Sequence, residues 1–142
     1  MQRVDARPRR VLVVEDDTFL LELITTRLDL AGFDTRGARD GNQAIQRLTE
    51  FRPEAMVLDI NMPVLDGFGV LNYMRVQGLT EKTPTMVLTA RNSPEDVSKA
   101  IKLGARDYLS KPFKDEQLIA RVGRLLVRNR PAAPAAPAVA AR

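Results

Sequence analysis

Three short runs with apolar cores, each followed by a polar side chain, most restrict the fold of this chain. Glu15 and Asp16 follow the run at 11–14, Asp59 follows the run at 55–58, and Thr89 follows the run at 85–88. Continuous apolar runs of this length are typical of parallel strands buried on both faces of a sheet. Because parallel strands end at a common edge, we expect these polar groups to meet there, where open α/β sheets bind ligands.

Between these runs lie segments with helical spacing and helix boundary signals. Asp17 or Thr18 is positioned to cap a helix whose apolar residues recur about every 3.6 positions, and Gly32 ends it. Pro94, just after Ser93, marks another helix start. The sequence predicts strands at 11–14, 33–38, 55–59, 85–89 and 106–110, and helices at 18–30, 41–52, 67–77, 94–103 and 114–129. Five strands alternating with five helices indicate an α/β fold with a parallel sheet covered on both faces.

Length and composition divide the chain into three parts. A chain of 142 residues is expected to form one domain, which we place at 10–129. Residues 1–9 are predicted to be a flexible basic lead-in, and 130–142 a linker or disordered tail rich in Pro and Ala. No apolar stretch approaches the roughly 20 residues that span a bilayer, and the first ten residues lack the apolar core of a signal peptide. We therefore expect a cytoplasmic protein.

Two residue types are missing, and each absence excludes a class of chemistry. Without Cys there is no thiol catalysis, thiolate metal site or disulfide, and without His the chain is neither a histidine kinase nor a histidine phosphocarrier. The net charge of +4 comes from arginines near both ends. Because no aromatic residues are interleaved with them, solvated helix faces explain this charge better than nucleic-acid binding does.

The acids at the predicted edge fit a site for Mg²⁺, which prefers oxygen ligands in octahedral geometry. Asp16 and Asp59 are the candidate direct ligands, and Glu15 would hold a coordinated water. The backbone carbonyl of Asn61 also fits, because it lies two residues past Asp59 in an irregular loop. An acid after a strand is often only a helix cap, so the pattern as a whole carries this prediction rather than any one residue.

The same edge supports phosphoryl chemistry. A carboxylate such as Asp59 is able to attack phosphorus and form an acyl phosphate. The phosphoryl oxygens then need balancing charge and hydrogen bonds, which Lys111 and the Thr89 hydroxyl would supply together with Mg²⁺.

These motifs together resemble the receiver domain of bacterial two-component response regulators. The resemblance covers about residues 10–129 and rests on Glu15-Asp16-Asp17, Asp59 to Pro63 with Asp66-Gly67, Thr89-Ala90 and Lys111-Pro112-Phe113. It implies a flavodoxin-like sheet with strand order 2-1-3-4-5. It also implies that Asp59 is the phosphoacceptor, that Mg²⁺ is the cofactor, and that a sensor histidine kinase or phosphotransfer protein is the donor.

The resemblance further implies how the signal is read. Thr89 and Tyr108 would form a switch, in which the tyrosine rotates inward when Thr89 moves toward the phosphate. Asn61 and Arg91 occupy two positions that tune dephosphorylation, and the Lys111–Pro112 peptide is expected to be cis. The output would be a change in the face formed by the last two helices and the last strand, which controls a protein partner or a fused output domain.

That output face also resembles receivers that dimerise and drive a DNA-binding domain. Asp107 and Arg121 would form one ion pair of such a dimer. Other positions lack the complementary charges that dimerisation in this mode requires, namely Val97, Lys102, Gln117 and Gly123. The 142 residues contain no DNA-binding domain, so we expect no direct contact with nucleic acid from this segment.

Two alternative functions stay open at this point. One is a degenerate receiver that docks partners without phosphorylation, which the complete set of acids, Thr89 and Lys111 argues against. The other is a phosphatase with an aspartate nucleophile. Such enzymes typically place a second acid two residues after the nucleophile, where this chain has Asn61. We therefore expect self-catalysed phosphotransfer and slow autodephosphorylation rather than turnover of external substrates.

Overall fold

The computed structural model describes residues 7–128 of the chain. Five strands alternate with five helices, as predicted. The strands are β1 (Arg10–Val14), β2 (Asp34–Ala38), β3 (Ala55–Leu58), β4 (Thr85–Thr89) and β5 (Asp107–Ser110). The helices are α1 (Thr18–Leu30), α2 (Gly41–Glu50), α3 (Gly67–Val76), α4 (Pro94–Lys102) and α5 (Asp115–Arg128). The predictions for residues 1–6 and 129–142 lie outside the described residues.

The five strands form one parallel sheet with the order β2-β1-β3-β4-β5, which confirms the predicted order. The partly polar strand β2 lies at one edge, and β5 lies at the other. β1, β3 and β4 occupy the middle, so their carboxyl ends are neighbours.

The middle strands are continuously apolar because both faces of the sheet are covered. Successive side chains of β1 alternate between two core clusters, with Leu12 and Val14 in one cluster and Val11 and Val13 in the other. The first cluster includes residues of α2, α3 and α4, and the second includes residues of α1 and α5. The side chains at 11–14, 55–58 and 86–88 therefore pack in an apolar core on one face of the sheet or the other, which explains why these runs contain no polar residue.

Polar caps start the helices close to the carboxyl ends of the strands. The side chains of Asp17, Asp40, Asp66 and Ser93 accept hydrogen bonds from backbone N–H groups in the first turns of α1, α2, α3 and α4. β3 ends one residue earlier than predicted, at Leu58, so Asp59 begins the loop rather than ending the strand. Among the described residues, no helix is both long enough and apolar enough to cross a membrane.

Candidate phosphoryl and metal site

Backbone hydrogen bonds extend the sheet one step beyond the strand ends and position the predicted site residues. Glu15 N–H donates to the Ala38 carbonyl at 2.9 Å, and Asp59 N–H donates to the Val14 carbonyl at 3.0 Å. Lys111 N–H donates to the Thr89 carbonyl at 3.0 Å. These side chains are therefore fixed on the rigid sheet rather than on a long loop, which gives the site a defined geometry.

Three carboxylates converge at this edge. Glu15, Asp16 and Asp59 each offer one oxygen, and these oxygens lie within 4.8 Å of one another. Glu15 and Asp59 are almost fully buried, at 2% and 5% exposed, whereas Asp16 is exposed. The donor set contains only oxygen, which is the set that Mg²⁺ prefers.

Lys111 supplies the positive charge that faces this cluster. Its Nζ lies 2.7 Å from Glu15 Oε1 and 3.5 Å from Asp59 Oδ2. The other oxygen, Asp59 Oδ1, is buried and accepts no hydrogen bond from the protein. A buried carboxylate oxygen without a partner is unfavourable unless a ligand completes it. The residues present therefore fit a divalent cation, which the acids would hold, beside a phosphoryl group that Lys111 would face.

Burial of Glu15 changes its acid–base behaviour. Desolvation raises the pKa of the Glu15 carboxyl, and the nearby charge of Asp59 adds to this effect. The hydrogen bonds from Lys111 and from Asp17 N–H, at 3.1 Å, act in the opposite direction and lower the pKa. Desolvation is the largest of these effects, so the charged form of Glu15 is held at a cost that a bound cation would remove.

The predicted switch residues meet at the backbone of Arg91. Thr89 is fully buried, and its Oγ1 accepts a hydrogen bond from Arg91 N–H at 3.3 Å. The Tyr108 hydroxyl donates to the Arg91 carbonyl. Partial burial raises the pKa of the Tyr108 phenol, so it stays a hydrogen-bond donor at neutral pH. The backbone of Arg91, two positions after the end of β4, therefore contacts both predicted switch side chains.

The side chain of Arg91 makes contacts that the sequence did not indicate. It donates to Asn61 Oδ1 at 3.1 Å and binds both carboxylate oxygens of Asp96, at 2.8 and 3.1 Å. Asn61 and Arg91 were both predicted as site residues, but their contact was not, and Asp96 was missed. An Arg just before a capped helix with an acid in its first turn is a weak signal for such a pair, because many solvated helices begin in the same way.

The loop after Asp59 is fixed at its far end by a glycine. Gly67 N–H donates to the Ile60 carbonyl at 2.9 Å, and a Cβ at Gly67 would lie 2.5 Å from the Asp59 carbonyl oxygen. Since backbone cannot yield to such a contact, only glycine allows α3 to start this close to Asp59.

Two further predictions concern β5 and the loop that follows it. The Lys111–Pro112 peptide is cis, as predicted. Arg121 Nη1 donates to Asp107 Oδ1 at 2.7 Å within the same chain. The intermolecular use of this ion pair in a dimer stays a prediction.

Comparison with known proteins identifies what this architecture is similar to. The family model described as response regulator receiver domain matches residues 11–123. Transcriptional regulatory protein PrrA of Mycobacterium leprae is 47% identical over 120 residues, which are 84% of this chain and 51% of that protein. DNA-binding response regulator MtrA of Mycobacterium tuberculosis is 39% identical over 126 residues, which are 89% of this chain and 54% of that protein. The chain thus spans about half the length of these relatives.

Solved structures give the same result for the fold. The Francisella response regulator 1452 receiver domain superposes with a TM-score of 0.80 at 36% identity, covering 86% of this chain and 99% of that one. Vibrio cholerae chemotaxis protein CheY4 superposes with a TM-score of 0.79 at 32% identity, covering 84% and 99% of the two chains.

Proposed function

This chain belongs to the response regulator receiver domain family of two-component signalling, and we propose that it is a switch controlled by phosphorylation of Asp59. Receiver domains of this family are signalling switches rather than classical enzymes. The finer roles of the site residues are our proposals, and they rest on the geometry at the carboxyl edge of the sheet.

One observation carries the assignment of Asp59. Its Oδ2 lies 3.5 Å from Lys111 Nζ, whereas its Oδ1 is buried without a protein partner. A carboxylate with one oxygen directed to a fixed cation and one oxygen unsatisfied is suited to bind a metal and accept a phosphoryl group. Neighbouring acids such as Asp17 and Asp40 instead serve as helix caps.

A phosphohistidine donor must lie outside these 142 residues, because they contain no His. We propose that an Asp59 oxygen attacks the phosphorus of a phosphohistidine on a sensor kinase or phosphotransfer protein. A P–O bond forms, the P–N bond breaks, and the imidazole nitrogen leaves with the electron pair and takes a proton. A bound Mg²⁺ would neutralise part of the phosphoryl charge.

The residues of this chain have separate roles in that step. Asp16, Asp59 and the Asn61 carbonyl would ligate the metal directly, and Glu15 would do so through a water. Lys111 would move from its 2.7 Å contact with Glu15 toward the phosphoryl oxygens, which carry more charge. The Thr89 hydroxyl would donate to a phosphoryl oxygen, and slow hydrolysis of the acyl phosphate would reset the switch.

The readout would pass through the residues that Thr89 touches. Movement of Thr89 disturbs the Arg91 backbone, which also holds the Tyr108 hydroxyl. Tyr108 of β5 packs against the core cluster that includes Ala100 of α4, and its neighbour Asp107 pairs with Arg121 of α5, so these elements would form the output face. The relatives PrrA and MtrA are named as regulators of transcription or as DNA-binding, and the segments that match this chain are only 51% and 54% of their lengths. We propose that this receiver likewise controls a fused output domain or a separate protein. Its cytoplasmic location stays a prediction.

The test is phosphorylation by a small-molecule donor. Wild-type protein incubated with acetyl phosphate and Mg²⁺ should gain the mass of one phosphoryl group, and Asp59→Asn should not. Asp40→Asn is a matched control, because Asp40 also follows a strand and Asn is an equally good helix cap. Equal phosphorylation of Asp59→Asn and wild type would refute the assignment.

The alternative of a docking module that works without phosphorylation makes the opposite prediction. In that case wild type would gain no mass, although Mg²⁺ and acetyl phosphate are in excess. Glu15, Asp16, Asp59 and Lys111 converge at one site in which Glu15 and Asp59 are buried. This disfavours the alternative, because a module without phosphoryl chemistry has no need to bury these two charges.

A further inference from the structure

The side chain of Arg91 connects two parts of the molecule that are distant in sequence. We call this contact the Arg91 bridge, and define it as Arg91 with Asn61 and Asp96. Asn61 belongs to the loop after β3, two residues past Asp59, and Asp96 lies in the first turn of α4. The bridge therefore runs from the proposed metal site to a helix of the proposed output face.

The contact with Asp96 has the geometry of a strong ion pair. Arg91 Nε donates to Asp96 Oδ2 at 3.1 Å, and Nη2 donates to Oδ1 at 2.8 Å. Such two-point pairing fixes the plane of the guanidinium as well as its position. The Asp96 side chain is only 17% exposed, and the hydrogen bond from Arg91 lowers the pKa of its carboxyl. Asp96 therefore stays charged and paired.

Two aromatic contacts add to the bridge. The Arg91 guanidinium carbon lies 5.3 Å from the centre of the Phe68 ring of α3, and Lys99 Nζ of α4 lies 4.3 Å from the same centre. Cations within about 6 Å of a ring centre are attracted to it. Phe68 itself is buried in the core. Movement of α4 would thus disturb the contact of Lys99 with this buried ring directly, and the contact of Arg91 through its ion pair with Asp96.

The third guanidinium nitrogen of Arg91 contacts the loop that follows β3. Arg91 Nη1 donates to Asn61 Oδ1 at 3.1 Å, so it holds the side chain of the residue whose carbonyl is a proposed ligand. The acidic oxygens already lie within 4.8 Å of one another while the bridge is formed. The bridged conformation is therefore one in which the metal ligands are preorganised, which favours binding.

We propose that the Arg91 bridge couples the metal site to the first turn of α4, so that Mg²⁺ binding and the order of this turn strengthen each other. Because such coupling is reciprocal, an ordered first turn should raise the affinity for Mg²⁺ by the same factor by which bound Mg²⁺ favours the ordered turn. Asp96 is then a positioning residue for the metal site, although it does not touch the metal. This inference rests on the Mg²⁺ site of the proposed function.

The first test is Mg²⁺ affinity by calorimetry at physiological salt, where distant charges are screened. Asp96→Asn should weaken Mg²⁺ binding about 5-fold, the lower range of such couplings. Glu95→Gln is the matched control, because it removes the same charge from an exposed neighbour in the same turn. Its effect should stay below about 2-fold. Asn61→Ala keeps the backbone carbonyl and removes the bridge contact, so it should weaken binding to a similar degree as Asp96→Asn.

The second test is amide hydrogen exchange in the first turn of α4. Mg²⁺ should slow exchange at Asp96 and Val97, whose N–H groups donate to Ser93. It should do so in wild type and in Glu95→Gln, but not in Asp96→Asn. Equal shifts of Mg²⁺ affinity in the Asp96 and Glu95 variants, with unchanged protection, would overturn the coupling and leave the proposed function intact. A wild type that binds no Mg²⁺ would overturn both.

Discussion

The two ends of strands β1 and β3 are built from similar charged residues and differ in how these residues are paired. At the amino end, Glu54 precedes β3 and accepts hydrogen bonds from Arg9 Nε at 2.8 Å and from Arg10 N–H at 2.9 Å. The Arg10 side chain donates to the carbonyl of Arg52, just after α2, at 2.7 and 3.0 Å. At the carboxyl end, Glu15 is buried with a raised pKa and Asp59 keeps an oxygen without a partner.

The different pairing of charges indicates that the amino end of the sheet contributes to stability, whereas the carboxyl end serves function. The amino end closes the connection between α2 and β3 with complementary charges, so its carboxylate Glu54 is already paired within the protein, and among the described residues only the cationic Arg9 Nη2 is buried there without a partner. The carboxyl end brings together three acids and one lysine, an arrangement that a bound cation and a phosphoryl group would complete. Sites that bind charged ligands commonly reduce stability in this way. Removing a carboxylate at the amino end should therefore lower the free energy of unfolding, whereas removing one at the carboxyl end should raise it in the absence of metal.

The largest effect is expected at the carboxyl end, from Lys111→Met. Removing the positive charge that faces Asp59 should slow phosphorylation by acetyl phosphate by about 100-fold or more, as the loss of other fixed transition-state charges does. Lys114→Met removes an exposed lysine three residues later and should leave the rate within about 2-fold of wild type. Mass spectrometry over time measures both rates. Similar slowing in both variants would show that only the overall charge matters.

The carboxyl end was largely predictable from the sequence. Apolar runs that stop at an acid or a hydroxyl identify buried strands and the polar groups at their ends, and parallel pairing then brings Glu15, Asp59 and Thr89 to one edge. The contact of Lys111 with Glu15 was not predictable, because it joins residues that are 96 positions apart in the sequence. Side-chain partners of this kind depend on loop geometry, which residue types alone do not define.

The charged contacts at the amino end, in contrast, could not be predicted from the sequence. Arg9 and Arg10 were predicted only as part of a basic stretch, since nothing in their local sequence indicates a partner. Their partner Glu54 lies more than forty positions away, and the pairing follows from the register of β1 against β3. The Arg91 bridge was missed for the same reason. Charged side chains follow no periodic pattern along the chain, so the sequence does not indicate their partners. These contacts can be identified only when the pairing of the strands is known.

The second largest effect is expected at the amino end, from Glu54→Ala. This change removes the hydrogen bonds that Glu54 accepts from Arg9 and Arg10. It should lower the free energy of unfolding by about 1–3 kcal/mol, while phosphorylation stays at the wild-type rate. Urea denaturation measures the first quantity. The control is Glu81→Ala, which removes a similar ion pair with Arg106 at a fully solvated carboxylate and should cost about 0.5 kcal/mol or less. Loss of phosphorylation in folded Glu54→Ala would contradict the separation of the two ends.

A smaller effect of opposite sign is expected from Asp59→Asn. Without metal, removing one of three clustered negative charges should raise the free energy of unfolding by about 1 kcal/mol. With saturating Mg²⁺ the order should reverse, because wild type gains binding energy of about 2.7 kcal/mol when Mg²⁺ is at 100 times its Kd. Thermal unfolding with EDTA and with Mg²⁺ measures both states. A variant less stable than wild type in EDTA would mean that Asp59 is satisfied by the protein after all.

The smallest effect is the pH dependence that Glu15 contributes. Its folded-state pKa is raised above the ordinary value of 4.5, mainly by desolvation, so the folded protein binds this proton more tightly than the unfolded chain does. The resulting stabilisation is fully present below 4.5 and is lost as the pH rises through the raised pKa. Glu15→Gln cannot titrate, so wild type should lose stability relative to this variant as the pH rises from about 4 to about 8 in EDTA.

Urea denaturation at several pH values gives this difference directly. Glu81→Gln makes the same substitution at a carboxylate that is 86% exposed, so it is the matched control for the buried position. The comparison of the two ends then becomes quantitative, because the slope for Glu15 measures how strongly burial at the carboxyl end disfavours its charge. A slope of opposite sign would mean that the hydrogen bond from Lys111 outweighs desolvation, and that this edge of the sheet is as well satisfied as the other.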